Sequence, residues 1–517
     1  MSTVHRLTLA DVLAEHGRSR PLVTAVVDGN VRLDYPALDR RVTALAGALA
    51  TEGVGVGDRV LWVGRNSHRV LELLLACGRL GAIFCPANWR QSPDELSFVL
   101  TDLTPKVVVW EPSEAVEAAR PPDGARWVPS GEEYERFLAG AVRGGPSEGE
   151  HEERSRGDGS PGLGDFGDDG APVLALYTAA FDGRPNAALL SHAALIAHAA
   201  SLLHVRQMEP GFTFLNSGPL FHVGTMMFCL ATLLAGGTNV FTPTFDAEEV
   251  CRLIEAESCT QAFLFGQMID AVVAANAGGR YNLKSLGFVS HSAEWDSMIT
   301  VSDTPWCRSG MGGYGQTEVG GMLTFLGLAP GGAGYAGRPS PLVQVRLLDP
   351  ADEEVPTGEV GEICARGKSI FSGYFNRPEL NERKFRGGWH HTGDLGRREP
   401  DGTLTFVGPK LRMIKSGNEN IYPAEVERAL RSHPAVADAA VIGVPDERWR
   451  QAVKAIVVLK PDATADAGSI VGHTRGLLAS YKKPRHVEFT DAIPKKGFTP
   501  DYDALDELYG GGAYPGT

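Results

Sequence analysis

The sequence has no apolar run long enough to cross a bilayer, no Cys-x-x-Cys pair and no surplus of basic charge. Each absence closes off a class of function. The apolar stretch around Met226 to Leu234 falls short of the roughly 20 residues a membrane span needs. The opening MSTVHRLTLADVLAEHG lacks the apolar core of a signal peptide. Seven cysteines stand at 77, 85, 229, 251, 259, 307 and 364. Their odd number and spacing argue against a disulfide framework or a metal cluster and predict a reducing, cytoplasmic setting. Lys plus Arg is 49 and Asp plus Glu is 63, a net charge of −14. The basic footprint of a nucleic-acid binder is therefore missing. A local pocket can still be cationic and take an anionic substrate.

What is present is a chain of 517 residues, 43% hydrophobic. At about 150 residues per domain that supports one large core and a satellite. Tyr35, Leu38, Val42, Leu45 and Leu49 fall on one helical face and predict a helix over 35–50, with Pro36 in its first turn. The run 59–63 reads as a buried strand, Asn66-Ser67 as a helix start, 70–80 as a helix and 82–85 as a strand ended by Pro86. This alternation predicts βαβ units and an α/β fold with a largely parallel sheet. Residues 143–170, rich in Gly, Ser and acid, predict a flexible surface insertion. Past Gly408 the pattern becomes helix (424–432), two strands (439–444 and 452–459), helix (468–480) and strand (486–490), a small α/β domain. The expected organisation is a large domain, 1–407, of layered α/β subdomains, followed by a small mobile domain, 408–517.

Two apparent nucleotide motifs fail. Gly162-Leu163-Gly164-Asp165-Phe166-Gly167 has dinucleotide spacing but no strand before it, and Asp165, Asp168 and Asp169 would repel a pyrophosphate. Gly367-Lys368-Ser369 ends like a P-loop, but Glu362 stands where its first glycine belongs.

Three segments carry chemistry. The first, Tyr177-Thr178-Ala179-Ala180-Phe181-Asp182-Gly183-Arg184-Pro185-Asn186-Ala187, is a small-residue turn after an apolar strand. The second is Gly312-Gly313-Tyr314-Gly315-Gln316-Thr317-Glu318. Its glycines let backbone approach a ligand, its tyrosine offers a stacking face, and a hydroxyl sits beside a carboxylate. The third, Trp389-His390-His391-Thr392-Gly393-Asp394, presents an aspartate on a glycine turn. Any one alone reads as an ordinary loop. Together and in this order they resemble the adenylate-forming superfamily of acyl-CoA synthetases, peptide-synthetase adenylation domains and luciferases. Pro219-Leu220-Phe221-His222-Val223, Gly358-Glu359-Val360-Gly361-Glu362-Ile363, Glu419-Asn420-Ile421-Tyr422-Pro423 and Tyr481-Lys482-Lys483-Pro484 extend the resemblance over nearly the whole chain.

The resemblance implies an ATP-dependent ligase. An acid attacks the α-phosphate of ATP, pyrophosphate leaves, the small domain rotates, and a thiol, such as that of CoA, or an amine takes the acyl group. The implied nucleotide contacts are Thr178, Gly183, Arg184, Ser292, Ala293, Gly313, Tyr314, Gly315, Thr317 and Asp394. Among these, Tyr314 would stack on adenine, Thr317 would bond the α-phosphate and Asp394 would accept from both ribose hydroxyls. Glu318 would hold Mg²⁺, a hard cation suited to carboxylate oxygen. His222, Val223, Gly224, Met226 and His291 would line the acid pocket. Leu411, Arg412, Lys415 and Asn418 would serve the hinge and the second step. Positioning and charge stabilisation would supply most of the catalysis. The sequence leaves the acid, the acceptor and the oligomeric state open.

The chain also departs from the pattern. The family phosphate loop runs Tyr-Thr-Ser-Gly-Thr-Thr-Gly-x-Pro-Lys-Gly. Here Ala179, Ala180, Phe181, Asp182 and Asn186 stand at its Ser, Gly, Thr, Thr and Lys positions. Hydrogen bonds to a charged group contribute roughly 1.5–3 kcal/mol each, so the loss is on the order of 5 kcal/mol. Arg184 would offset part of it. The C-terminal Gly-Lys of the family reads Gly497-Phe498, which leaves Lys495 and Lys496 as the catalytic candidates beside Thr317 and Glu318. The hinge Gly-Arg-x-x-Asp reads Gly408-Pro409-Lys410-Leu411-Arg412, and Asn418 replaces a glycine near the pantetheine path. Two alternatives stay open: an ATP-dependent diazotase that activates nitrite for an aryl amine, and a degenerate, non-catalytic binding homologue.

Overall fold

The computed structural model describes residues 3–121, 124–144, 168–178, 185–209, 211–309, 311–410, 412–417, 419–496, 499–512 and 514. Gly183, Arg184, Leu411, Asn418 and most of the expected 143–170 insertion lie outside the described residues.

The predicted alternation forms a seven-stranded sheet. Its order is Gly373–Tyr374, Ala187–Ser191, Pro172–Tyr177, Ile83–Pro86, Arg59–Val63, Val107–Trp110, Arg126–Pro129. The last five strands of that order run parallel. Ile83–Pro86 and Val107–Trp110 are buried at every position, as a sheet covered on both faces requires. The helix predicted over 35–50 spans Tyr35–Thr51. Asp34 caps it by accepting from Ala37 N, Pro36 sits in its first turn, and Tyr35, Leu38, Val42, Leu45 and Leu49 are all buried.

A second sheet has the order Gln261–Ala262, Thr213–Asn216, Thr238–Phe241, Thr24–Asp28, Val31–Asp34. The helices His192–Arg206 and Val223–Ala235 pack with its Phe214 through Leu202, Phe228 and Ala231. An antiparallel sheet of Val343–Leu348, Val360–Gly367, His390–Arg398 and Leu404–Pro409 follows.

The C-terminal elements have separate cores, built around Ile414, Val426, Val441, Val453 and Ile470 and around Ile442, Ile456 and Leu505. The hairpin Val436–Asp446/Arg450–Leu459 is longer than predicted. Asp446 Oδ1 accepts from the backbone N–H of Arg448 and Trp449, which closes its tip and lets both strands run on. These elements meet the large lobe through polar contacts. Lys482 Nζ donates to Glu95 Oε1 at 2.7 Å and to Glu425 Oε1 at 2.8 Å. Arg90 donates to Glu419 Oε1 at 2.8 Å, and Ser92 Oγ to the Leu477 carbonyl at 2.9 Å.

Candidate active site

A crevice of about 2020 Å³ opens between the large lobe and the C-terminal elements. That is more than the 300–1,000 Å³ or so of a typical small-molecule pocket, enough for a nucleotide and a second substrate together.

One wall is the segment Gly313 to Glu318. Tyr314 is 7% exposed and stacks on Phe406, with ring centroids 5.5 Å apart and planes at 19°. A Cβ on Gly313 would lie 2.0 Å from the Thr324 carbonyl oxygen, so only glycine lets Tyr314 follow here. Tyr314 Oη donates to Asp394 Oδ2 at 2.7 Å. Gln316 Nε2 donates to Tyr314 Oη at 3.0 Å and to Asp394 Oδ2 at 3.2 Å. Burial pushes the Asp394 carboxyl up to about 6, against the opposing pull of Tyr314, Lys384 and Gln316.

Thr317 opens a 3₁₀ turn, and Glu318 follows it, buried. Tyr374 Oη donates to Glu318 Oε1 at 2.7 Å and fixes the carboxylate. Lys384 reaches the crevice from the helix Pro378–Lys384. Its Nζ donates to the carbonyls of His391 at 3.0 Å and Thr392 at 3.2 Å, at the back of the Thr-Gly-Asp turn. Burial pulls its pKa down, while Glu318, Glu362 and Asp394 hold the charge in place. An oriented, buried carboxylate beside a hydroxyl fits a hard divalent cation.

Thr178, Gly313, Tyr314, Gly315, Thr317, Glu318 and Asp394 all line the crevice, as do His222, Val223, Gly224 and Lys415. His222 caps the helix Val223–Ala235, its Nδ1 accepting from Gly224 N at 3.0 Å.

Other expected site residues lie elsewhere. Met226 is 1% exposed and packs into the large core; its neighbours Met227 and Phe228 line the crevice instead. The helix there is apolar all round, so its sequence does not mark a face. His291 pairs with Asp270 at 2.8 Å outside the crevice lining. Ser292 caps the short helix Ala293–Met298 by accepting from Trp295 N, and neither Ser292 nor Ala293 lines the crevice. Lys495 is drawn to Asp438 at 2.9 Å, within the C-terminal lobe. The backbone of Lys496 pairs with Thr499 in a short ladder. Arg412 points into the C-terminal lobe, towards Asp503 and Asp506.

Sequence reasoning missed Gln316, Lys384, Tyr374 and Arg206 as crevice residues. Gln316 could have been found from its place between Tyr314 and Glu318, and Tyr374 from the Gly373-Tyr374 pair, which also fits the family pattern; Lys384 and Arg206 carry no local signal.

Fold and crevice together define an adenylate-forming enzyme. The family model for the AMP-binding enzyme matches residues 13–375, and that for the AMP-binding enzyme C-terminal domain matches 425–497. The chain belongs to the AMP-binding enzyme family. It is 36% identical over 489 residues to a feruloyl-CoA synthase of Amycolatopsis sp, covering 93% of this chain and 94% of that one. It is 32% identical over 510 residues to the indoleacetate–CoA ligase of Aromatoleum aromaticum, covering 95% of each. Among solved structures, an o-succinylbenzoate CoA synthetase double mutant from Bacillus subtilis, bound with a product analogue, shares the fold. Its TM-score is 0.77 at 23% identity, over 94% of this chain and 95% of that chain. No helix among the described residues is long and apolar enough to cross a membrane.

Proposed function

We propose that this chain joins an aryl carboxylic acid to CoA through an acyl-adenylate. The observation that carries this reading is the convergence of Tyr314, Gln316, Thr317, Glu318 and Asp394 on one crevice. Adenine lies against Tyr314, and Asp394 accepts from the ribose hydroxyls. The substrate carboxylate attacks the α-phosphorus, the bond to the bridging oxygen breaks, and pyrophosphate leaves with that electron pair. Thr317 donates to the α-phosphate, and Lys384, behind the Thr-Gly-Asp turn, offsets the carboxylates on that side of the crevice. Glu318 would hold the Mg²⁺ that accompanies the nucleotide, and the ion would supply charge neutralisation at the phosphates.

The aryl assignment is supported by the rings of Phe228, Phe263, Phe288 and Trp306 along the crevice, and by relatives named for feruloyl and indoleacetate substrates. The CoA assignment is supported by Arg448, Arg450, Lys483 and Arg485, which line the crevice from the C-terminal elements and suit an anionic thiol carrier. We place the domain boundary just after the strand Leu404–Pro409, two residues beyond the expected 407/408, because Gly408 and Pro409 pair with Leu395 and Asp394, and we assign Arg412 and Lys415 to the pivot.

The test is acid-dependent release of pyrophosphate from Mg·ATP, followed by CoA-dependent release of AMP, over a panel of cinnamic, benzoic and arylacetic acids. Turnover with at least one acid is the expected result. Silence across the panel, with AMP still bound by calorimetry, would replace an enzyme with a nucleotide-binding homologue.

A further inference from the structure

Arg206 is the last residue of the helix His192–Arg206 and is 7% exposed. It forms no ion pair among the described residues. Its Nη2 donates to Gln261 Oε1, and Gln261 is itself tied to the Gly287 carbonyl. Its Nε and Nη1 have no hydrogen-bond partner. Four rings surround the guanidinium: its carbon lies 4.5 Å from the centroid of Phe228, 5.4 Å from Trp306, 5.5 Å from Phe214 and 5.7 Å from Phe212.

Aromatic faces attract a cation, and the helix C-terminus favours one. Neither satisfies an N–H. A buried cation whose donors are unmatched is costly, and a hydrophobic residue of similar volume would pack there with less strain. Yet Arg206 lines the substrate crevice, together with Met227, Phe228, Phe263, Trp306 and Met322. The cation therefore stands on an otherwise apolar and aromatic wall.

We propose that Arg206 is a distal subsite of the acid pocket, and that the acid activated by this chain carries a second carboxylate at the end remote from the reacting one. Nη1, enclosed and unmatched here, would donate to that carboxylate once the rings around it give way; Nε lies on the other edge of the guanidinium and shares no fork with it. The rings would sandwich the aryl body between the two anionic ends. This inference rests on the adenylation reading for which carboxyl reacts, but the pairing with Arg206 requires no chemistry.

Three matched probes test it: 4-carboxycinnamic acid, its 4-methyl ester and 4-methylcinnamic acid. With the wild-type chain, kcat/KM for pyrophosphate release should favour the diacid over the methyl compound by about a hundredfold, because a site built for a charged partner rejects its absence. In Arg206→Met that ratio should fall to about 1, and in Arg206→Lys to an intermediate value. Binding of the diacid without ATP, followed by tryptophan fluorescence, should weaken about a hundredfold in Arg206→Met. Thermal unfolding checks that each variant is folded, and a wild-type panel without diacid preference would overturn the point before any variant is made. Equal rates with all three acids, or a diacid preference that survives Arg206→Met, would overturn the subsite and leave adenylation standing. Arg206-dependent binding of the diacid with no pyrophosphate release from any acid would do the reverse.

Discussion

Tyr314 and Asp394, eighty positions apart in the chain, share a 2.7 Å hydrogen bond in which the phenol donates to Oδ2. Gln316 donates to the same oxygen at 3.2 Å. In the proposed reading this joins the ring that would meet adenine to the carboxylate that would meet ribose, so one contact sets both halves of the nucleoside site.

That contact has a pH signature. Burial raises the Asp394 pKa from 3.8 to about 6. Ribose hydroxyls need the ionised form as acceptor. AMP affinity should fall about tenfold between pH 7 and pH 5, and Asp394→Asn should bind more weakly with a flat profile; calorimetry at both pH values reads this. For folding the sign runs the other way. The raised native pKa makes this group's stabilisation fully present below about pH 4 and lost as pH rises through 6, on the order of 3 kcal/mol. Thermal unfolding of wild type should therefore lose ground between pH 4 and 6 relative to Asp394→Asn.

Glu318 gives a second test. Tyr374 orients its carboxylate, which in the proposed reaction faces the metal-bound phosphates. Glu318→Gln keeps the shape and removes the charge. Single-turnover pyrophosphate release should slow by about 10²–10³-fold, while AMP, which carries fewer phosphates, should bind within about threefold of wild type. Equal losses in AMP binding and in rate would assign Glu318 to the fold rather than to the reaction.

A lysine placed at Asn186, where the family resemblance expects one, should not raise the rate. Asn186 is 1% exposed, and its Oδ1 accepts from Arg377 Nε at 3.0 Å. Arg377 in turn donates to Asp102 at 2.7 Å. Asn186→Lys would bury a second cation against Arg377, and should cost on the order of 2–4 kcal/mol by denaturant unfolding without raising the adenylation rate. Adding Arg377→Gln should recover part of the loss. A faster enzyme from Asn186→Lys alone would mean that the position still faces the phosphates.

The elements most legible in the sequence are those specified locally. Tyr35 to Leu49 declares its helix through spacing, and the parallel strands declare themselves through short runs buried on both faces. Tyr314, Thr317, Glu318 and Asp394 were legible only as a set in order, since each loop alone is ordinary. The remainder depends on long-range packing. Met226 and Met227 sit on a helix with no polar face to set its rotation. Lys384 follows Arg383 and reads as solvent-facing charge, until the helix end turns it under the Thr-Gly-Asp turn. Arg206 reads as a polar helix terminus; only the rings of Phe212, Phe214, Phe228 and Trp306, from three separate segments, show that it is enclosed. Lys495 fits a catalytic role by chain position, but Asp438 claims it.

The triad of Glu95, Lys482 and Glu425 gives the last test, because it spans the two lobes. Lys482 and Glu425 belong to the C-terminal elements, and Glu95 to the helix Pro93–Leu103 of the large lobe. Burial alone would favour a neutral lysine, but the Glu425 and Glu95 carboxylates outweigh it and keep Lys482 charged. Lys482→Met would strand two buried carboxylates and should cost about 3–5 kcal/mol in unfolding free energy. Glu95→Gln is the sharper probe, since Lys482 keeps Glu425 and the C-terminal lobe keeps its own cores. It should leave the main unfolding transition within about 1 kcal/mol of wild type, yet free the lobe to swing and expose the chain around residues 408–417 to protease several-fold faster. Unchanged protease resistance in Glu95→Gln would mean that Arg90–Glu419 and the Ser92–Leu477 contact hold the lobes together without the triad, and that the buried lysine serves the C-terminal lobe alone.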